Sequence, residues 1–142
     1  MGLSGNFESK LDAKARLVIP ARFREELGTR VIATTIDNTC ISLYSERNWE
    51  EVVLRIEEES KQTSKIAKSR RRIMASSFPQ EIDSMGRMLI PEKLRSLTNI
   101  AQDVCVNGNN RKVEIWDSVR WGQFESDAEA DILDIDTLLP GL

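Results

Sequence analysis

The sequence predicts an α+β fold of two tandem β-turn-β-α-β-β modules joined by a helical connector. The first observation behind this is an internal repeat. Shifted so that Phe7 falls on Phe78, the segment Phe7–Arg24 matches Phe78–Arg95 at six of eighteen positions, where ordinary composition gives about one. The second is an apolar run stopped by proline in each copy, Leu17-Val18-Ile19-Pro20 and Met88-Leu89-Ile90-Pro91. The third is the helical spacing of apolar residues between the copies.

Each copy reads in the same order. A short extended segment ends at Leu11 or Ile82 and gives way to a polar turn bracketed by Asp12 and Arg16, or by Asp83 and Arg87. The apolar run that follows suits a buried strand. Pro20 and Pro91 lack the amide that a central strand donates but fit the first turn of a helix. Helices are therefore predicted at Ala21–Leu27 and Glu92–Leu97, the first capped by Gly28. Two extended segments follow each helix, Arg30–Thr35 with Cys40–Tyr44 and Asp103–Val106 with Lys112–Trp116, joined by turns rich in Asn, Asp and Gly. The repeat continues behind them, with Tyr44 and Trp49 answering to Trp116 and Trp121. Phe7, Phe23, Leu43, Trp49, Phe78, Ile115, Trp116 and Trp121 occupy periodic apolar positions and are expected to pack the interior.

In the connector, Trp49, Val52, Val53 and Ile56 form one stripe with glutamates opposite, Ser60 to Ser64 interrupts the helix, and Ile66, Ile73 and Met74 form a second stripe. The expected organisation is a first module at 1–48, the connector at 49–77, a second module at 78–121 and an acidic tail at 122–142, which reads as a short helix followed by disorder. The charge is segregated accordingly. The whole chain has 20 Lys and Arg against 23 Asp and Glu, a net charge of −3. Six of those acids and no base lie in Gly122–Leu142, so the remaining body is net basic, and Lys61 to Arg72 holds six bases with no acid among them. A polyanion can be attracted to that body despite the acidic total.

Histidine is absent, which excludes Ser-His-Asp and Cys-His catalysis and histidine-ligated metals. Cys40 and Cys105 stand far apart without a CxxC, and buried thiols are expected rather than a disulfide or a zinc site. Asp12 and Asp83 each face an arginine that favours the ionised carboxylate, which suits neither a general acid nor a metal. No enzyme activity, metal or cofactor is expected. A bilayer-crossing apolar stretch and a secretory leader are not found, so a cytoplasmic protein with no membrane partner is expected.

The Asp-x-x-x-Arg turns have a physical logic of their own. The aspartate can accept turn amides and hold the facing arginine in a charge-assisted pair, which orders a cationic side chain at a loop tip. An ordered guanidinium presents a planar fork to a guanine edge or a phosphate.

These two motifs, each leading into an apolar run and proline, with the Tyr44…Trp49 and Trp116…Trp121 pairs behind them, closely resemble the MraZ family of bacterial transcriptional regulators along nearly the whole chain. The resemblance implies two swapped-hairpin modules of the AbrB-like type packed as a pseudo-twofold barrel, and a ring of identical subunits. It also implies repression by binding closely spaced direct repeats of double-stranded DNA, at the promoter of the division and cell-wall gene cluster that includes the regulator's own gene. A nucleoid-associated location follows. The sequence departs from the family pattern at Ala15, where glycine is usual and where the second copy keeps Gly86. If that position needs positive φ, alanine is strained there and the first loop is shaped differently.

The expected DNA-binding residues are Lys10, Lys14, Arg16, Arg22 and Arg24 around the first turn and Arg87 in the second, with Asp12 and Asp83 supporting the motif. The first turn, richer in bases, is expected to dominate phosphate attraction. The competing reading is a non-catalytic, ring-forming interaction module in which the Lys61–Arg72 run pairs with the acidic tail of a neighbour. Apolar faces left on the connector helices favour head-to-tail contacts that close into a ring under either reading.

Overall fold

The repeat produces two copies of one chain path that exchange strands. The computed structural model describes residues 2–132 and 134–142. The first copy supplies β1 (Asn6–Lys10), β2 (Arg16–Val18), α1 (Ala21–Leu27), β3 (Arg30–Thr34) and β4 (Ile41–Ser45). The second supplies β5 (Phe78–Glu81), β6 (Arg87–Leu89), α4 (Glu92–Leu97), β7 (Asp103–Asn109) and β8 (Lys112–Asp117). Between them run α2 (Glu46–Ser60) and α3 (Ser64–Ala75), and the chain ends in α5 (Ser118–Ile132) and α6 (Ile135–Leu138).

Six strands form an antiparallel sheet in the order β1-β7-β8-β4-β3-β5, while β2 and β6 make a separate two-stranded ribbon. The order is symmetric about the β4–β8 seam, where Ile41 faces Ile115 and Leu43 faces Val113. Each copy's first strand lies against the other copy: β1 pairs with β7, β5 with β3. An edge position explains how β5 tolerates Pro79, which needs no partner on its outer side. At the opposite edge, Leu3 bridges Asn110, a contact that sequence reasoning missed; a side chain at Gly108 would collide with the Ser4 backbone there.

Both copies build the main interior cluster, with Leu17, Ile19, Phe23, Ile41, Leu43, Met88, Ile90, Leu94 and Ile115 fully buried. Phe7 closes over Phe23 edge-to-face at 5.2 Å between ring centres. The proline logic holds at both helices, since Pro20 and Pro91 precede α1 and α4 with helix-compatible φ of −50° and −56°. Gly28 ends α1 at a φ of 77°, its amide donating to the Arg24 carbonyl at 3.0 Å.

Three differences from the sequence reading have local causes. The connector helix begins at Glu46 because the Ser45 hydroxyl accepts the Asn48 amide at 3.1 Å, a cap earlier than the apolar stripe. The tail is helical through Ile132 rather than a short helix. Trp121 stacks on Phe124, and both lie against Trp116 at 5.1 Å between centres, which anchors the first turns of α5 beneath its acidic end. The basic run is partly occupied within the chain: Arg70 pairs with Glu57 across the α2–α3 hairpin, and Arg72 donates to the Ile36 carbonyl at 2.9 Å.

Cys40 and Cys105 lie against Trp116 as buried free thiols, and burial pushes the Cys40 thiol up to about 12. Phe23→Ala should cost about 3–5 kcal/mol, because it empties the centre of the shared interior; chemical denaturation monitored by tryptophan fluorescence measures the loss.

Candidate nucleic-acid interface

Both Asp-x-x-x-Arg segments fold into the same hydrogen-bonded turn. In the first, Asp12 Oδ1 accepts the Lys14 amide at 2.8 Å and the Arg16 amide at 2.9 Å, while Oδ2 accepts Arg16 Nε at 2.8 Å. In the second, Asp83 Oδ1 accepts the Met85 and Arg87 amides at 2.9 Å each, and Oδ2 accepts Arg87 Nε at 3.0 Å. Backbone bonds repeat as well, with the Ala15 amide on the Asp12 carbonyl at 3.0 Å and the Gly86 amide on the Asp83 carbonyl at 2.9 Å. The Arg16 amide, followed by its side chain and the Lys14 amide, holds Asp12 below the usual carboxylate range against partial desolvation. The Arg87 amide leads the same effect at Asp83. Each aspartate is thus an ionised acceptor whose capacity its own turn uses.

Anchoring by Nε leaves the outer edge of each guanidinium open. Among the described residues, the terminal amino groups of Arg16 and Arg87 donate no hydrogen bond. Those two groups are the pair that forks onto a guanine edge or a phosphate.

The ribbon decides how the two arginines stand relative to one another. Arg16 lies opposite Leu89, Leu17 opposite Met88 and Val18 opposite Arg87. Residues directly opposite in an antiparallel pair share a face, and alternate residues along a strand return to it. Leu17 and Met88 point into the interior, so Arg16, Val18, Arg87 and Leu89 stand together on the outer face. Arg16 and Arg87 are diagonal neighbours across the ribbon, about 7–8 Å apart at the backbone. Their turns are tied as well, because the Ile19 amide donates to the Gly86 carbonyl at 2.8 Å and the Ile90 amide to the Ala15 carbonyl at 2.9 Å.

The other expected site residues are distributed unequally. Lys14 is exposed on the first turn, next to Arg16. Arg24 is half-buried, donating from Nε to the Ile19 carbonyl at 3.0 Å, and its guanidinium occupies the space a side chain at Gly86 would need. It therefore props the second turn from behind. Arg95 repeats the device on the Ile90 carbonyl at 3.2 Å and was not among the expected residues. Arg22 is drawn back to the Ser4 carbonyl at 2.6 Å. Lys10 ends β1 opposite Asp103.

Two expectations change. Ala15 has a φ of 58° and Gly86 one of 80°, so the first loop keeps the shape of the second and carries the strain in place. The three-residue apolar runs are also not wholly buried: Val18 and Leu89 face outward. The period of a strand was the available signal, since the middle of any three residues must face away from its neighbours.

Elsewhere, a cleft of about 460 Å³ lies beside Cys40 and Trp116. Its cation Lys112 is already held by Glu114 at 3.4 Å and by the Ser42 hydroxyl at 3.3 Å. No described helix is long and apolar enough to cross a membrane.

Fold and site together define a duplicated β-ribbon protein that holds two arginine forks on one outward face. The family described as "MraZ protein, putative antitoxin-like" matches twice, over residues 3–75 and 73–137. The chain is 34% identical to the transcriptional regulator MraZ of Thermoanaerobacter sp. (strain X514), over 94% of this chain and 93% of that protein. It is 34% identical to the protein of that name from Micrococcus luteus over 97% of both chains, and 35% identical to that from Caldanaerobacter subterraneus over 94% and 93%. The chain belongs to the MraZ family.

Ala15→Gly should relieve the strained φ and raise stability by roughly 0.5–1 kcal/mol, a gain of about 2–4 °C in melting temperature that calorimetry detects. Because both aspartates are held below the usual range, the turns should stay ordered at neutral pH. They should loosen only in acid, as pH falls through the depressed values. Arginine Nε–H resonances of Arg16 and Arg87 followed by NMR should therefore be unchanged between about pH 5 and 8.

Proposed function

We propose that this protein is a DNA-binding transcriptional repressor, and that the outer face of the β2–β6 ribbon is its reading surface. The observation that carries the reading is the pair of Nε-anchored arginines on that face, with their terminal amino groups open. A two-stranded ribbon fits a major groove about 12 Å wide. The diagonal of about 7–8 Å between the arginines is close to two base steps of about 3.4 Å each. Arg16 and Arg87 read base edges; Lys14 beside them, and Lys10 and Arg22 at the first copy's margin, attract phosphates. Asp12, Asp83 and Arg24 hold the reading groups in place. The names of the relatives, transcriptional regulator MraZ, support the same assignment and a role that is not enzymatic.

The finer features belong to the same proposal. The exchange of β1 and β5 between copies supports a swapped-hairpin, AbrB-like barrel with a pseudo-twofold axis. Modules at 1–48 and 78–121, the connector at 49–77 and the tail at 122–142 are then functional divisions, since strand pairing crosses between the modules. Exposed Leu54 on α2 and Val119 on α5 offer apolar contacts for head-to-tail neighbours in a ring. Such a ring would present the ribbon at regular intervals to closely spaced direct repeats, at the promoter of the division and cell-wall cluster and of its own gene. The protein would act on the nucleoid, in the cytoplasm.

A ring without DNA recognition is the alternative, and it loses support where Arg70 and Arg72 are engaged inside the chain instead of being free for a neighbour's tail.

Titration of the protein against its own upstream DNA, carrying one, two or three intact repeats at several salt concentrations, tests the proposal. Affinity should fall steeply with salt and rise with repeat number. Arg16→Ala and Arg87→Ala should each weaken discrimination by about 1–3 kcal/mol. Unchanged DNA affinity in the double variant would sink the proposal.

A further inference from the structure

The reading face holds more than its arginines. Val18 is 54% exposed and Leu89 is 51% exposed, and nothing else in the described chain covers them. A lone exposed aliphatic side chain is ordinary. These two are placed by register: Leu89 stands directly across from Arg16, and Val18 directly across from Arg87. The face is a checkerboard of two cationic forks and two branched aliphatic groups, with Met85, 68% exposed, on the second turn. Phosphate attraction alone gives no reason for the aliphatic pair, because a phosphate offers an apolar group nothing to bury against. The complementary surface must set paired hydrogen-bond acceptors and exposed methyl groups side by side at about the spacing of one base step. The major groove does so wherever guanine, with O6 and N7, neighbours thymine, with its C5-methyl.

We infer that Val18 and Leu89 read thymine methyl groups, on base pairs adjoining those that Arg87 and Arg16 fork. The inference rests on the DNA-binding reading above and adds to it the chemical class of base each aliphatic position selects. Leu89 and Val18 occupy equivalent places in the two copies but differ in reach, so the two methyl contacts need not be equal.

Deoxyuridine supplies a direct test, because it keeps every hydrogen-bonding group of thymine and lacks only the methyl. Duplexes enriched from a random pool by the wild-type protein are resynthesised with deoxyuridine at each thymine in turn. At one or two positions wild-type affinity should fall about fourfold for each methyl that was buried, with the salt dependence unchanged. Val18→Ser and Leu89→Ser should each abolish the sensitivity at one position, and should bind the thymine duplex no better than wild type binds its deoxyuridine counterpart. Wild-type binding that ignores deoxyuridine everywhere overturns the inference, and so do serine variants that retain the full sensitivity. Serine variants with an altered oligomer mass and an unaltered deoxyuridine pattern also overturn it, and give the aliphatic pair to subunit contact instead. A pool in which no sequence is enriched overturns the DNA-reading proposal itself, so the two failures are told apart.

Discussion

Two reciprocal hydrogen bonds, from the Ile19 amide to the Gly86 carbonyl and from the Ile90 amide to the Ala15 carbonyl, tie each turn to the strand that leaves the other. Neither copy can make this arrangement alone, because each turn needs the opposite copy's strand to close its edge. The same crossing sets the register that buries Leu17 against Met88 and sends both arginines outward. A slip of one residue would reverse this, placing guanidinium groups in an interior built from aliphatic side chains. The packing of the interior and the display of the arginines are therefore one constraint, enforced from both faces of a short ribbon.

Charge works at a different range. A net charge of −3 would repel a polyanion if it were spread evenly, but screening confines each group's influence to about 8–10 Å at moderate ionic strength. The charge that matters at the ribbon is therefore local, and there the aspartates are the only acids within the motif. Their charge is spent locally: each carboxylate accepts two amides and one guanidinium Nε, so it orders the arginine while leaving the outer donors open. The acidic end of α5 begins beyond the Trp116–Trp121–Phe124 cluster, on a helix packed against β7 and β8 rather than on the ribbon.

Much of this was legible in the sequence because the duplication supplied every local signal twice. Proline at the ends of the apolar runs located α1 and α4 to the residue, and the Asp-to-Arg interval located the turns. What stayed hidden depends on partners distant in the chain. Whether Arg24 is free to meet a ligand or holds the Ile19 carbonyl depends on a gap over Gly86, about sixty residues later in the sequence. Strand alternation already set Val18 and Leu89 opposite to their neighbours, but that the face they share is left uncovered needed the pairing register and the packing behind it. The helix beyond Ser118 was masked by its acids, and it is held by contacts that the sequence does not announce, Trp121 and Phe124 on Trp116 and Arg120 donating to the Asn38 carbonyl at 2.9 Å.

The departures from symmetry bear on orientation. A ribbon with two identical turns would present the same surface after half a rotation, and its natural target would be a palindrome. This ribbon is not of that kind: Lys14 on the first turn answers to Met85 on the second, and Val18 answers to Leu89. The backbone twofold survives, as the matching hydrogen bonds of the two turns show, but the side chains around the two arginines differ in charge and reach. The ribbon face therefore has a polar, cation-rich end and an apolar end on one frame. A face with two distinguishable ends can fix the direction in which it lies on a duplex, and direction is what a repeat read head to tail requires and a palindrome does not.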